Sequence, residues 1–215
     1  MTAVQTRQRL VEVALDLIWQ SNYNSVGVND ICKQAGVTKG SFYHHFESKG
    51  DLFCKAHAYY VDSIRQELDT IVSPMKPALE QLEGFIEFLL RKKFGEDDQN
   101  CPGSAFLSAG SLCSENKVKE ALKSVSEAAV RYHIALIRAL DAEGYLEEGV
   151  DHTNAARFLH QYVQGATIYA KVHESPNQVR EDLPEALYRL IGLKREFWYS
   201  DVLNTASESE ERSPS

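Results

Sequence analysis

Apolar residues recur along this chain every three or four positions, the period of helices that pack on one side. Leu10, Ala14, Leu17 and Ile18 show it within a first helix spanning about 4–21. Ile31 and Ala35 repeat the spacing on a shorter segment, and Phe42 and Phe46 do so on another. Further helical stretches are predicted over about 48–72, 77–94, 103–113, 116–142, 152–174 and 179–200. Pro74, Gly144 and the pair Ser175-Pro176 punctuate them, as helix stops do. No stretch sustains the alternation of a strand, and no segment repeats. The pattern predicts an all-α chain.

The stretch from Ser25 to Leu52 carries the most specific local signals. Asp30, Ile31, Cys32, Gln34 and Ala35 suit a short helix, which Gly36 ends because glycine takes the left-handed backbone at little cost. Cys32, four residues earlier, is small enough for two helices to approach closely at a helix-turn-helix. Thr38 is placed to cap the second helix. With Phe42 and Phe46 turned inward, Lys39, Gly40, Ser41, Tyr43, His44 and His45 face out. Hydrogen-bonding and cationic groups on the open side of so short a helix form a surface suited to reading DNA. Ser48 with Asp51 then opens a long helix running to about residue 72.

The block DICKQAGVTKGSFYHHFESKGDL, residues 30–52, resembles the N-terminal domain of the TetR-type transcriptional regulators, and the agreement extends over about residues 7–57. The resemblance implies that the second motif helix enters the major groove. It also implies an all-helical C-terminal domain that senses a small ligand and dimerises. The expected DNA contacts are Asn29, Thr38, Lys39, Gly40, Ser41, Tyr43, His44 and Lys49, with Tyr43 and Lys49 chiefly on phosphates. Two positions depart from the family's habit. Asn22 stands where glycine is common before Tyr23, and asparagine is the next-best residue for a left-handed helix end. Val28 stands where Ser or Thr often opens the first motif helix, so a hydroxyl contact to phosphate is lost or passes to Asn29.

Three parts follow: a DNA-binding domain over 1–50, a sensing and dimerisation domain over 51–203, and a disordered acidic tail over 204–215. The helix over 48–72 would join the first two without a flexible linker, so a movement of the body would move the reading helix. Charge fits this division. The chain carries a net −8, yet residues 1–50 hold five basic against four acidic side chains, a net of +1. The acidic excess therefore need not lie against phosphate, although +1 is weak attraction for a DNA binder. Modest non-specific affinity with marked salt dependence is expected.

In the body, the last two predicted helices are apolar on more than one side, which calls for burial on both. One side would face the protein's own core. The other would join a second copy in a four-helix bundle through Leu159, Ala166, Leu187, Ile191 and Trp198, as the resemblance also implies. Gly165 beside Ala166 would admit a close helix. Aromatic residues Tyr59, Phe85, Phe88, Phe106, Tyr132, Tyr162 and Tyr169 could line an inducer cavity between helices. Cys101, in Asn100-Cys101-Pro102, would sit at a helix start that lowers a thiol pKa, against the opposing charge of Glu96, Asp97 and Asp98. It is therefore a candidate for sensing electrophiles. A Cys101–Cys113 disulfide is excluded if the segment between them is helical.

The four cysteines include no C-x-x-C pair, and no histidine stands at zinc-finger spacing, so neither a metal nor another cofactor is expected. No nucleophile–base constellation supports an enzyme. No apolar run reaches the ~20 residues of a membrane span and no signal peptide opens the chain, so a cytoplasmic protein is expected. These observations predict a homodimeric regulator, most simply a repressor released from double-stranded operator DNA by a small molecule. The rival is a helical ligand-binding or enzymatic protein whose helix-turn-helix is vestigial.

Overall fold

The first helix, α1 (Ala3–Gln20), begins where Thr2 caps it: the Thr2 hydroxyl accepts from the Gln5 N–H and the Gln5 amide oxygen accepts from the Thr2 N–H. Its inner face, Leu10, Val13, Ala14 and Ile18, is almost wholly buried. Two short helices, α2 (Val28–Ala35) and α3 (Lys39–His45), pack on it, and α4 (Lys49–Ile71) follows. After α5 (Ala78–Lys93) come α6 (Asn116–Ala142), α7 (His152–His173) and α8 (Pro176–Ile191). This is a computed structural model, and it describes residues 2–21, 23–94, 115–173 and 176–199. The described residues are all-α, apart from one isolated antiparallel bridge between Leu146 and Leu193. None of the described helices is long and apolar enough to cross a membrane. The predicted helix near 103–113, the acidic segment 96–100 and the tail 204–215 lie outside the described residues.

Chain contacts divide the structure into two units, one drawn from residues 1–67 and 96–128 and the other from 68–95 and 129–215. In the first, Tyr23, Val26, Ile31, Cys32, Phe42 and Phe46 join the α1 face, and Leu52, Phe53, Ala56 and Val118 complete the same core. The N-terminal core thus continues past residue 50, because the first turns of α4 supply three of its large or close-packed side chains. In the second unit, α5 contributes Leu82, Phe85 and Ile86, α6 contributes Leu136, Ile137 and Leu140, and α7 and α8 pack on each other. Burial of apolar area on this scale is the main favourable contribution to folding.

The last helix departs from expectation. It starts at Pro176, tolerates Pro184 inside, and stops at Ile191 rather than running to about 200. Gly192 takes φ +70 and its N–H bonds the Arg189 carbonyl, while the Leu193 N–H reaches Tyr188, a glycine helix stop. The chain then pairs with the strand-like turn after α6: the Glu147 N–H donates to Gly192 at 2.8 Å and the Lys194 N–H to Tyr145 at 3.0 Å. Apolar periodicity alone reads through such a stop, since Phe197 and Trp198 continue the rhythm.

Candidate nucleic-acid interface

The turn that sets the two motif helices is built as its residues dictate. Gly36 lies at φ +70, and the Val37 N–H closes back on the Cys32 carbonyl at 3.0 Å. Cys32 is buried at the crossing, and burial pushes its thiol pKa up against the opposing pull of Lys39. This thiol is therefore a packing group rather than a nucleophile. At the other end of the turn, Thr38 caps α3 by accepting the Ser41 N–H at 3.2 Å. Where Val28 opens α2, the Asp30 carboxylate accepts the Gly27 N–H at 2.9 Å, so that helix is capped without a hydroxyl.

Phe42 and Phe46 are fully buried and anchor α3 on the core, which fixes its rotation. Tyr43 is then 57% exposed, and Lys39, Gly40 and His44 are exposed with it, while Ser41 and His45 are half-buried. Thr38 and Asn29 also reach solvent. Six of the eight expected contacts are thus exposed and Ser41 is half-buried. Arg7 lies 5.6 Å from the Phe46 ring centroid and Lys55 at the same distance, two cations beside the end of α3 that sequence spacing did not single out. Lys55 also pairs with Asp51 at 2.8 Å. Burial alone would raise the Asp51 carboxyl; the Lys55 ammonium, the Glu47 N–H and the charge of Lys117 outweigh it and hold the group below its usual range.

Lys49 requires a correction. Its ammonium donates to the carbonyls of Tyr23 at 2.7 Å and Val26 at 2.8 Å, and lies 4.1 Å from the Tyr23 ring centroid. A cation so engaged ties the loop between α1 and α2 to the start of α4; it is not extended toward a phosphate.

Residues 10–55 match the profile of the bacterial regulatory proteins of the tetR family. Over those residues the chain carries the DNA-binding domain of a TetR-type regulator. It is 30% identical over 129 residues to YuxN of Bacillus subtilis, an uncharacterised helix-turn-helix-type transcriptional regulator, covering 58% of this chain and 42% of that one. Over 51 residues it is 47% identical to the regulator AcrR of Shigella flexneri, covering 24% of each chain. The chain therefore spans less than half the length of these curated relatives. Among solved structures, the SmeT–triclosan complex aligns with a TM-score of 0.76 over 90% of this chain and 94% of that one, at 20% identity, which is a likeness of fold.

Beyond the matched residues, the aromatic side chains expected to line one cavity are dispersed. Phe85 and Phe88 are buried, and Phe85 meets His133 edge-on with ring centroids 5.3 Å apart. Tyr132 is half-buried and its hydroxyl donates to Asp69. Tyr59 is 70% exposed on α4, so it does not belong to an interior cavity of this chain. Tyr162 and Tyr169 instead line an open groove of about 360 Å³ with Gly165, Ala166, Gln178, Val179 and Asp182. Cys101 and Phe106 lie outside the described residues.

A polar cluster that no sequence pattern brings together lies within the second unit. His133 on α6 bonds the Ala156 carbonyl through Nδ1 at 3.4 Å, and its ring lies 5.6 Å from that of His160 on α7. The Gln164 amide nitrogen contacts His160 Nε2 at 3.4 Å, while its buried oxygen has no partner. Burial, with His160 nearby, pushes His133 down to about 3; burial and then Lys93 push His160 down as well. The two imidazoles are thus held neutral.

The expected dimer residues are also redistributed. Leu159, Leu187 and Ile191 are fully buried within the single chain and have no surface to offer a second copy. Trp198 does not continue a helix; its indole N–H caps the Leu193 carbonyl at 2.8 Å and its ring carries Arg195 at 4.2 Å. Ala166, only 8% exposed, reaches the groove wall. The open stripe of α7 is Phe158, Gly165, Tyr169 and Val172, with Tyr162 half-buried among them.

Proposed function

We propose that the protein is a DNA-binding transcriptional regulator, a repressor in the simplest case, that acts as a homodimer on operator DNA and is released by a small molecule. The observation that carries this reading is the open polar rim of α3 mounted on the buried Phe42 and Phe46. Glycine at position 40 supports it: a Cβ there would meet only the Thr38 hydroxyl, at an ordinary 3.7 Å, so the space lies open to an outside partner. Lys39, Tyr43 and His44 are the side chains assigned to DNA, joined by Asn29, Thr38 and Ser41. Arg7 adds charge beside them. In domain terms, residues 1–50 bind DNA and 51–203 sense and dimerise.

Two copies are proposed to join through the Phe158-to-Val172 stripe of α7 and the groove beside α8. That pairing would set the separation of the two reading helices. The inducer is assigned to the interior of the second unit, where Phe85, Phe88 and the polar set of His133, His160 and Gln164 offer an apolar wall with hydrogen-bonding groups. That a fold neighbour is a triclosan complex supports a sensing role for this body. Covalent sensing at Cys101 remains a second proposal, tested by comparing Cys101→Ser with wild type after exposure to a quinone. Ligand binding would shift the population toward a body conformation that presents the reading helices at the wrong spacing for successive major grooves.

A gel shift on the DNA upstream of the protein's own gene tests the reading. A specific band that resists competitor DNA is expected; its absence at low salt would point instead to a ligand-binding protein with a vestigial motif.

A further inference from the structure

We infer that Glu115, the residue just before α6, is a positioning residue of the DNA interface, and that its contact with Tyr23 and Gly50 is the latch through which the start of α6 holds the helix-turn-helix; this rests on the DNA-binding reading above. Three observations within the N-terminal unit converge on it. The Tyr23 hydroxyl donates to Glu115 Oε1 at 2.6 Å, although the two residues stand 92 positions apart in the chain. Gly50, in the first turn of α4, leaves room for the same carboxylate: a Cβ added there would lie 2.0 Å from Glu115 Oε2 and 3.4 Å from the Tyr23 hydroxyl. The Glu115 carbonyl accepts the Lys119 N–H at 3.2 Å, so the backbone of this residue is the first acceptor of α6 while its side chain reaches the motif.

The loop joining α1 to α2 is thereby gripped from two sides. Lys49 holds its carbonyls at Tyr23 and Val26, and Glu115 holds the Tyr23 hydroxyl. Tyr23 is itself a keystone: it is 2% exposed and packs edge-on against Phe53 with ring centroids 5.2 Å apart. A rotation of the first turn of α6 would withdraw the carboxylate and leave a buried phenol without this acceptor. Losing that acceptor costs the buried phenol a hydrogen bond, and the strain falls on the loop that orients α1 against α2 and α3. The latch is thus a fine adjustment of the reading helix, distinct from its contact residues.

Gly50→Ala probes the latch with the smallest possible change. The clash is with the far end of a flexible side chain, so Glu115 can swing aside without unfolding the unit, and doing so breaks its bond to Tyr23. Alanine also favours the helix by up to about 1 kcal/mol. The test measures affinity of the full chain for its own upstream DNA by fluorescence anisotropy, alongside thermal unfolding. Gly50→Ala is expected to weaken binding about tenfold with an unchanged or higher midpoint, and Glu115→Ala to weaken it similarly. Glu115→Gln, which still accepts the phenol proton, should restore most of the affinity. In the Glu115→Ala background, adding Gly50→Ala should cost nothing further, the signature of a shared contact. Wild-type affinity in Gly50→Ala, or losses that simply add in the double variant, would overturn the latch while leaving the DNA-binding reading intact. A wild-type protein that fails to bind this DNA would overturn both.

Discussion

Lys39 and Lys49 show how far a side chain's role depends on where its neighbours point it. Lys39 opens the short helix and Lys49 follows it, and both are expected DNA contacts, Lys49 chiefly on phosphate. Lys39 is exposed at the start of α3, whereas Lys49 satisfies two backbone carbonyls. Lys39→Ala should therefore lower the salt dependence of operator binding by about one unit of slope while leaving stability alone. Lys49→Gln should do the reverse: stability should fall by about 1–3 kcal/mol, the cost of unpaired buried carbonyls, with the salt slope unchanged. Titration at several salt concentrations together with urea unfolding separates them; equal slopes for both variants would show that Lys49 does reach phosphate. Cap and turn residues were legible from sequence because their partners lie within four positions, as with Thr38 and Ser41. The partner of Lys49 lies 26 positions away and that of Glu115 lies 92 away, beyond any local pattern.

At the scale of elements, the motif was readable nearly to the residue, because Gly36, Thr38 and Ser48 mark its ends chemically. The Ser48 hydroxyl accepts the Asp51 N–H at 3.0 Å, as its position predicted. Register on α7 was not readable in the same way. Two apolar stripes wind along that helix, and composition does not say which one the chain keeps for itself. The structure gives Leu159, Val163, Ala166 and Ala170 to the protomer and leaves Phe158, Ile168, Tyr169 and Val172 exposed. Gly165 lies on the open side, where an added Cβ would meet nothing within 4 Å. Gly165→Glu should thus fold normally, and by helix propensity somewhat better, yet place a charge in the centre of the proposed dimer face. Analytical ultracentrifugation should find monomers where wild type sediments as a dimer. A variant that remains fully dimeric would place the interface elsewhere.

Across the whole molecule, three described histidines, His57, His133 and His160, link stability to pH through their burial. Burial pushes His57 down to about 4 and His133 down to about 3, both from an ordinary 6.5. Because the folded pKa values are depressed, the unfolded chain takes up protons first as pH falls. The neutral rings therefore contribute stability that is fully present above about 6.5 and is lost progressively below it, toward about 4 and 3. Each fully titrating group removes about 1.4 kcal/mol per pH unit, so urea midpoints should drop steeply between about pH 6 and 5. His133→Gln should remove part of that dependence. A flat profile over this range would mean that the rings are solvated or already charged in the folded protein.

The central claim is that the rim of α3 reads DNA, and its most direct test is the affinity of the full chain for its own upstream DNA. Wild type, Tyr43→Phe, His44→Ala and the double variant Lys39→Ala, Tyr43→Phe should be compared on that DNA and on a scrambled duplex of equal length. Wild type is expected to prefer the upstream DNA by at least about a thousandfold, the low end of specific recognition. Tyr43→Phe should weaken both duplexes alike, as a phosphate contact does, while His44→Ala should reduce the preference itself. The double variant should bind far more weakly. Equal binding of wild type and double variant to both duplexes would contradict the assignment of this surface to DNA.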